Sequence, residues 1–197
     1  MSHVRTRLQS GILWLMLDHP PLNILSLELL EQLNIALREA QILQPRLLVL
    51  MGAGERAFSA GVDVRDLDGR EQELLRAVEE NCAALVELRA RGIATAALVK
   101  GVALGGGCEL AALCDTVLAR EDATFGLPEI RLGVFPPVAS AYFPALLGYQ
   151  ATMRLILTGE TISAREALRL GLVHQVLSTR RFLSDAEELL VMLASTR

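Results

Sequence analysis

Short apolar runs alternate along this chain with longer stretches whose apolar residues recur at helical spacing, and this alternation restricts the fold more than any other feature. Gly11 to Leu17, Arg46 to Met51, Ile93 to Val99 and Thr116-Val117-Leu118-Ala119 have the length and composition of buried strands. Ser26 precedes Leu27, Leu30, Leu33 and Leu37 and reads as the N-cap of a helix running to about Gln41. Glu71 to Ala90 is a second helix, with Leu74, Leu75, Val78, Cys82, Leu85 and Leu88 on one side. Gly105-Gly106-Gly107 opens a short helix through Leu113, and helical pattern resumes from about Ser140. Ser163 to Glu166 is a capping box whose helix closes at Gly171, and Ser184 to Glu187 is a second box for the final helix. Gly52 to Asp68 and Gly126 to Pro137 read as loops. Strands alternating with helices imply an α/β protein with mainly parallel strands. No internal repeat, linker or low-complexity segment is visible.

Composition bounds the function. The 197 residues are 52% hydrophobic, enough for one substantial core. The net charge is -4 with no block of Lys or Arg, which argues against nucleic acid and anionic membrane as partners. Aromatics are only 4%, so few flat side chains exist to stack on bases or sugars. No apolar run is long enough to read as a membrane span. The opening Met-Ser-His-Val-Arg-Thr-Arg does not read as a secretory signal. Cys82, Cys108 and Cys114 form no CxxC pair and suit a reducing cytoplasm as small buried hydrophobes.

Three segments could carry chemistry. Gly52-Ala53-Gly54-Glu55-Arg56-Ala57 matches a dinucleotide-binding fingerprint, but Phe58-Ser59-Ala60-Gly61 places another glycine where a helix should form. A tight turn is the better reading of Gly52 and Gly54. Gly105-Gly106-Gly107 is costly in chain entropy and makes sense where backbone approaches a ligand or turns sharply. Free N–H groups at such a helix start favour an oxygen bearing negative charge. Glu109, in the first turn, is either a reactive carboxylate or one held by the helix dipole, and spacing leaves both open. Glu129, in Phe125-Gly126-Leu127-Pro128-Glu129-Ile130, is either a surface residue or a carboxyl in an apolar pocket able to hold a proton near neutrality. Together the two glutamates could form an acid/base pair. His3, His19 and His174 lack ligand-spaced neighbours, so no metal is expected, and His19 beside Pro20-Pro21 reads as a turn residue. GxSxG and P-loop patterns are missing.

At these residues the chain resembles the crotonase, or enoyl-CoA hydratase/isomerase, superfamily. The matching pieces are Ala57 to Asp63, Lys100 to Leu110, Cys114-Asp115, Phe125 to Gly133, Thr158-Gly159-Glu160 and Ala164 to Val176, in order and in register. The resemblance implies a stack of β-β-α turns with two near-perpendicular sheets over residues 1–150, followed by a shortened C-terminal helical region over 151–197. Family members usually continue for several tens of residues of helix that cover the acyl pocket and help form trimers.

The resemblance also implies roles. Backbone N–H groups of Val62 and Gly106 would form an oxyanion hole for a thioester oxygen. Ser59, Ala60, Gly61, Val62 and Asp63 would lie against coenzyme A, with Gly105 and Gly106 beside the substrate. Glu109 and Glu129 match the two glutamates of hydratases, which points to water addition to an α,β-unsaturated acyl-CoA. Coenzyme A is then part of the substrate, no cofactor is needed, and the expected assembly is a homo-oligomer, trimer or hexamer. Gly133-Val134-Phe135-Pro136-Pro137-Val138-Ala139-Ser140, with His19 to Leu25, resembles the branch of cyclic dienoyl-CoA hydratases. A double-bond isomerase and a non-catalytic thioester-binding paralogue are the alternatives on the same scaffold.

Overall fold

The computed structural model describes residues 3–63 and 69–195. The end of the loop read over Gly52 to Asp68, residues 64–68, lies outside them. An edge hairpin opens the fold, β1 (Val4–Gln9) antiparallel to β2 (Ile12–Leu17). Helix α1 (Leu27–Leu43) follows, and the Ser26 hydroxyl accepts from Leu29 N at its start. The remaining strands come in pairs: β3 (Leu47–Gly52) with β4 (Ala57–Ser59), β5 (Ala94–Val99) with β6 (Val102–Leu104), and β7 (Thr116–Arg120) with β8 (Thr124–Gly126). With β9 (Thr161–Ser163) and β10 (Gln175–Leu177) added late in the chain, the first of each pair enters a six-stranded sheet ordered β1-β2-β3-β5-β7-β10, and the second enters a four-stranded sheet ordered β4-β6-β8-β9. Helix α2 (Glu71–Ala90) follows the first pair and α3 (Gly106–Ala112) the second. After the third come a 3-10 turn, Pro128–Leu132, then α4 (Pro137–Leu147) and α5 (Tyr149–Thr158). The repeat is therefore in structure, where the sequence displays none.

Both sheets are mixed. Strands β2, β3, β5, β7 and β10 pair in parallel, as do β4, β6 and β8, while β1 and β9 join antiparallel. Strand β1 escapes sequence reading because it is an edge: Val4 is buried and the rest of Val-Arg-Thr-Arg-Leu-Gln faces solvent. Residues 151–197 give one strand to each sheet, β9 (Thr161–Ser163) and β10 (Gln175–Leu177), with α6 (Ala164–Leu170) between them and α7 (Phe182–Ser195) after.

Two expectations need correcting. Helix α7 begins at Phe182, and the Ser184 hydroxyl donates back to the Arg181 carbonyl, so Ser184 lies inside the helix and caps nothing. The preceding 3-10 turn, Thr179–Arg181, extends the helical path upstream of the apparent capping box. On α2, Leu74, Leu85 and Leu88 are buried as read, but Leu75 is exposed. The inward face turns instead through Ala77, Asn81 and Ala84.

Period-two alternation divides the core. Leu48, Leu50, Ala97, Val99, Val117 and Ala119 face α1, α2 and α3, while Leu47, Val49, Ala96, Leu98 and Leu118 face α7. The site described next lies on the first of these faces.

Candidate active site

The turn from β3 to β4 shows what Gly52 and Gly54 do. A Cβ on Gly52 would stand 2.5 Å from the carbonyl oxygens of Ala57 and Phe58. Asn23, fully buried, donates its Nδ2 to the carbonyls of Ala53 and Ala57, both at 2.9 Å. The apparent dinucleotide fingerprint is thus a pinned turn that opens no helix. His19 belongs to the same corner: its N–H donates to Asn23 Oδ1 and its carbonyl accepts from Asn23 N.

Strand β4 then leads Ser59 to Asp63 past the glycine run. Ser59 is fully buried; its Oγ accepts from Gly61 N at 3.2 Å and its carbonyl lies directly under Gly107, where no Cβ could fit. Ser59 is therefore scaffold beneath the loop, while Ala60 and Val62 are half-exposed above it. Leu25 and Val62 form a parallel bridge in which Leu25 N donates to Gly61 O and Asp63 N donates to Leu25 O. In such a bridge the opposing residue, Val62, turns its own N–H away from the partner strand. Gly61 (φ +100°) brings that loop against the start of α3: a Cβ on Gly61 would lie 3.5 Å from Gly106 N, and one on Gly106 would lie 3.8 Å from Val62 N. Gly106 is the first residue of α3, so its N–H has no intrahelical acceptor. Among the described residues neither N–H has a backbone acceptor.

The two glutamates flank this corner. Glu109 is 5% exposed, and its Oε1 accepts the Ala139 N–H at 2.7 Å. Ala139 is the third residue of α4, which starts at Pro137 and has no side-chain cap of its own. The carboxylate of α3 thus caps a different helix, and the favourable end of the α4 dipole faces it. Burial outweighs this help and pushes the Glu109 carboxyl from 4.5 up to about 7, with the nearby Glu129 charge adding to the rise. Glu129 lies in the 3-10 turn on the other side of Gly105: a Cβ on Gly105 (φ +53°) would lie 2.9 Å from Glu129 Oε1. Its Oε2 is buried with no hydrogen-bond partner among the described residues, and burial raises its pKa.

Bracing for that turn comes from three directions. Gly105 N donates to Gly126 O at 2.9 Å, Val134 N to Glu129 O at 3.1 Å, and Arg131 Nη2 to Gly159 O at 2.9 Å. The Thr158-Gly159-Glu160 piece therefore serves as a buttress. Asp115 is likewise structural: it accepts from Arg89 at 2.6 Å and from Thr95 N and Oγ1 at 2.8 Å, locking α2 and β5 to the start of β7.

Glu109, Val62, Gly106 and Val138 wall a cavity of about 30 Å³ together with Asn81 and Cys82 of α2. Burial, aided by the Glu109 charge, pushes the Cys82 thiol up to about 11, so it stays protonated. Sequence reading passed over Asn81 and the α4 N-terminus. Pro136-Pro137 was the available signal for the latter, since proline is favoured at the first helical position. A larger groove of about 520 Å³, between β1, β2 and α7, contains neither glutamate.

Comparison with known proteins places this arrangement. Residues 7–197 match the sequence model described as enoyl-CoA hydratase/isomerase. A probable enoyl-CoA hydratase of Rhizobium meliloti is 37% identical over 172 residues, 84% of this chain and 64% of that protein. A short-chain-enoyl-CoA hydratase of Clostridium acetobutylicum is 34% identical over 176 residues, 85% of this chain and 66% of that one. The chain thus spans slightly under two thirds of such relatives. The solved structure of Pseudomonas aeruginosa DspI superposes with a TM-score of 0.92 at 28% identity, covering 100% of this chain and 76% of DspI. With the paired strands, the glycine corner and a family match along nearly its whole length, the chain belongs to the crotonase, or enoyl-CoA hydratase/isomerase, family.

Proposed function

We propose that the protein hydrates a short α,β-unsaturated acyl-CoA thioester. The observation that carries this reading is the placing of two raised-pKa carboxyls, Glu109 and Glu129, on either side of a corner offering the N–H groups of Val62 and Gly106. A thioester oxygen held by both N–H groups would be stabilised as it takes on enolate charge, typically by a few kcal/mol per donor. The acyl chain would extend toward the cavity beneath, and Ala60 and Val62 offer the half-exposed surface for the coenzyme A arm.

The steps balance without a cofactor. Glu109 takes a proton from water as its oxygen bonds to the β carbon, the double-bond electrons move into the enolate, and Glu129 delivers a proton to the α carbon. Local contacts support this division of labour. Glu109 Oε1 has the Ala139 N–H to favour its ionised form, whereas Glu129 Oε2 has no partner among the described residues; against this, the Glu129 charge helps to raise the Glu109 carboxyl. Since the two sites interact, their titration belongs to the pair. The relatives named as hydratases support water addition over isomerisation.

A cyclic dienoyl thioester is the second reading, favoured by the proline-led start of α4, whose N–H group meets Glu109. Mixing the protein with crotonyl-CoA and with cyclohexadienecarbonyl-CoA, and following loss of the conjugated absorbance, separates the two. Turnover of crotonyl-CoA is expected. Well-folded protein that turns over neither thioester would refute the hydratase reading.

A further inference from the structure

The cavity below Val62 and Gly106 has one polar wall that the hydration chemistry leaves unused. Asn81 is 2% exposed, and its Nδ2 donates to the carbonyls of Leu30 at 2.9 Å and Ala77 at 2.7 Å. Two carbonyl acceptors fix which end of the amide is nitrogen, because an oxygen there would face only lone pairs. The other end, Oδ1, is buried and has no hydrogen-bond donor among the described residues. A buried acceptor left in this state is costly and calls for a reason. The neighbouring walls offer little: Leu25, Leu30, Val78 and Val138 are apolar, and Glu109 already accepts from Ala139. The cavity, at about 30 Å³, has room for one or two groups the size of a water molecule.

We propose that Asn81 Oδ1 is an acceptor for a hydroxyl on the acyl group, so that the site selects a short enoyl thioester hydroxylated just beyond its double bond over an all-hydrocarbon one. This deepens the hydratase reading and rests on it for the direction in which the acyl group enters. An acceptor with no partner discriminates strongly, because the substrate lacking the hydroxyl leaves it unpaired. Nothing covalent is asked of Asn81; it is a specificity-determining residue.

The test compares kcat/KM for 4-hydroxycrotonyl-CoA and crotonyl-CoA in the wild-type protein and in Asn81→Leu. The wild type should favour the hydroxylated thioester by about tenfold or more, and Asn81→Leu should abolish or reverse that preference. A wild-type ratio within about twofold would overturn the proposal, as would a preference that survives intact in folded Asn81→Leu. The leucine variant also loses both Nδ2 bonds; if it does not fold, the wild-type ratio alone decides. If the wild type turns over neither substrate, the hydratase reading fails separately. Calorimetry with 4-hydroxybutyryl-CoA and butyryl-CoA then decides for Asn81: tighter binding of the hydroxylated thioester supports it, and equal or no binding overturns it.

Discussion

Glu109 sits between opposing influences. Burial disfavours its charge, the Ala139 N–H favours it, and the balance leaves a carboxyl that titrates at about 7. If Glu109 is the base proposed above it must be ionised, so hydration should lose activity as pH falls through about 7. Glu109→Gln and Glu129→Gln should each lower turnover by about 10²–10⁴-fold. Stability should move the other way. The folded pKa lies above the ordinary value of 4.5, so the contribution is fully present below 4.5 and lost as pH rises through about 7. Above that point the wild type carries a buried charge that glutamine lacks. Glu109→Gln should therefore melt higher than wild type at pH 8, by up to about 3 kcal/mol, with the gap closing toward pH 4.5. A melting series across pH checks this. Spacing showed the two glutamates and the glycine run as candidates, and the family register joined them. The Ala139 N–H and Asn81 Oδ1 were not legible, because both depend on which helices meet across long stretches of chain.

Helices and strands were legible where local chemistry and burial agree. Ser26 and Ser163 accept from Leu29 N and Glu166 N as their cap patterns imply, and α2 runs over the residues its period marks. Ser184 has the same local pattern, but the Thr179–Arg181 turn starts the helix earlier. Ser163→Ala should accordingly cost about 1 kcal/mol, while Ser184→Ala should stay within about 0.5 kcal/mol of wild type, both read from denaturant melts. The strands β4, β6, β8, β9 and β10 were hard to see for another reason. Each has only three residues, apart from pairing too short to show a period. What holds β4 is remote: Asn23, 30 and 34 residues upstream of its two anchors, supplies the two side-chain bonds. Asn23→Ala should orphan those carbonyls and cost about 2 kcal/mol or more.

At the scale of the molecule, the six-stranded sheet separates a site face from a supporting face. Phe182, Ala186, Leu190 and Ala194 of α7 pack on the supporting face against Leu47, Val49 and Leu98. Leu190 is fully buried there. Leu190→Ala should cost about 2–5 kcal/mol yet leave KM for the thioester nearly unchanged, which steady-state kinetics below the melting transition would show. At the strand ends, Glu55 bridges Lys100 at 2.7 Å and also binds Arg120, tying the exits of β3, β5 and β7 together where the chain crosses to the second sheet. The Glu55 side chain is 71% exposed while those of Lys100 and Arg120 are 10% and 11% exposed, so Glu55 covers two largely buried cations from the solvent side; its service is to register. The central claim, that this scaffold brings Glu109 and Glu129 to bear on water, is tested most directly by incubating the wild-type protein with crotonyl-CoA in oxygen-18 water and weighing the product. Water addition predicts a 3-hydroxyacyl thioester carrying the heavy oxygen, with the label lost in Glu109→Gln. A product with a shifted double bond and no solvent oxygen would contradict it.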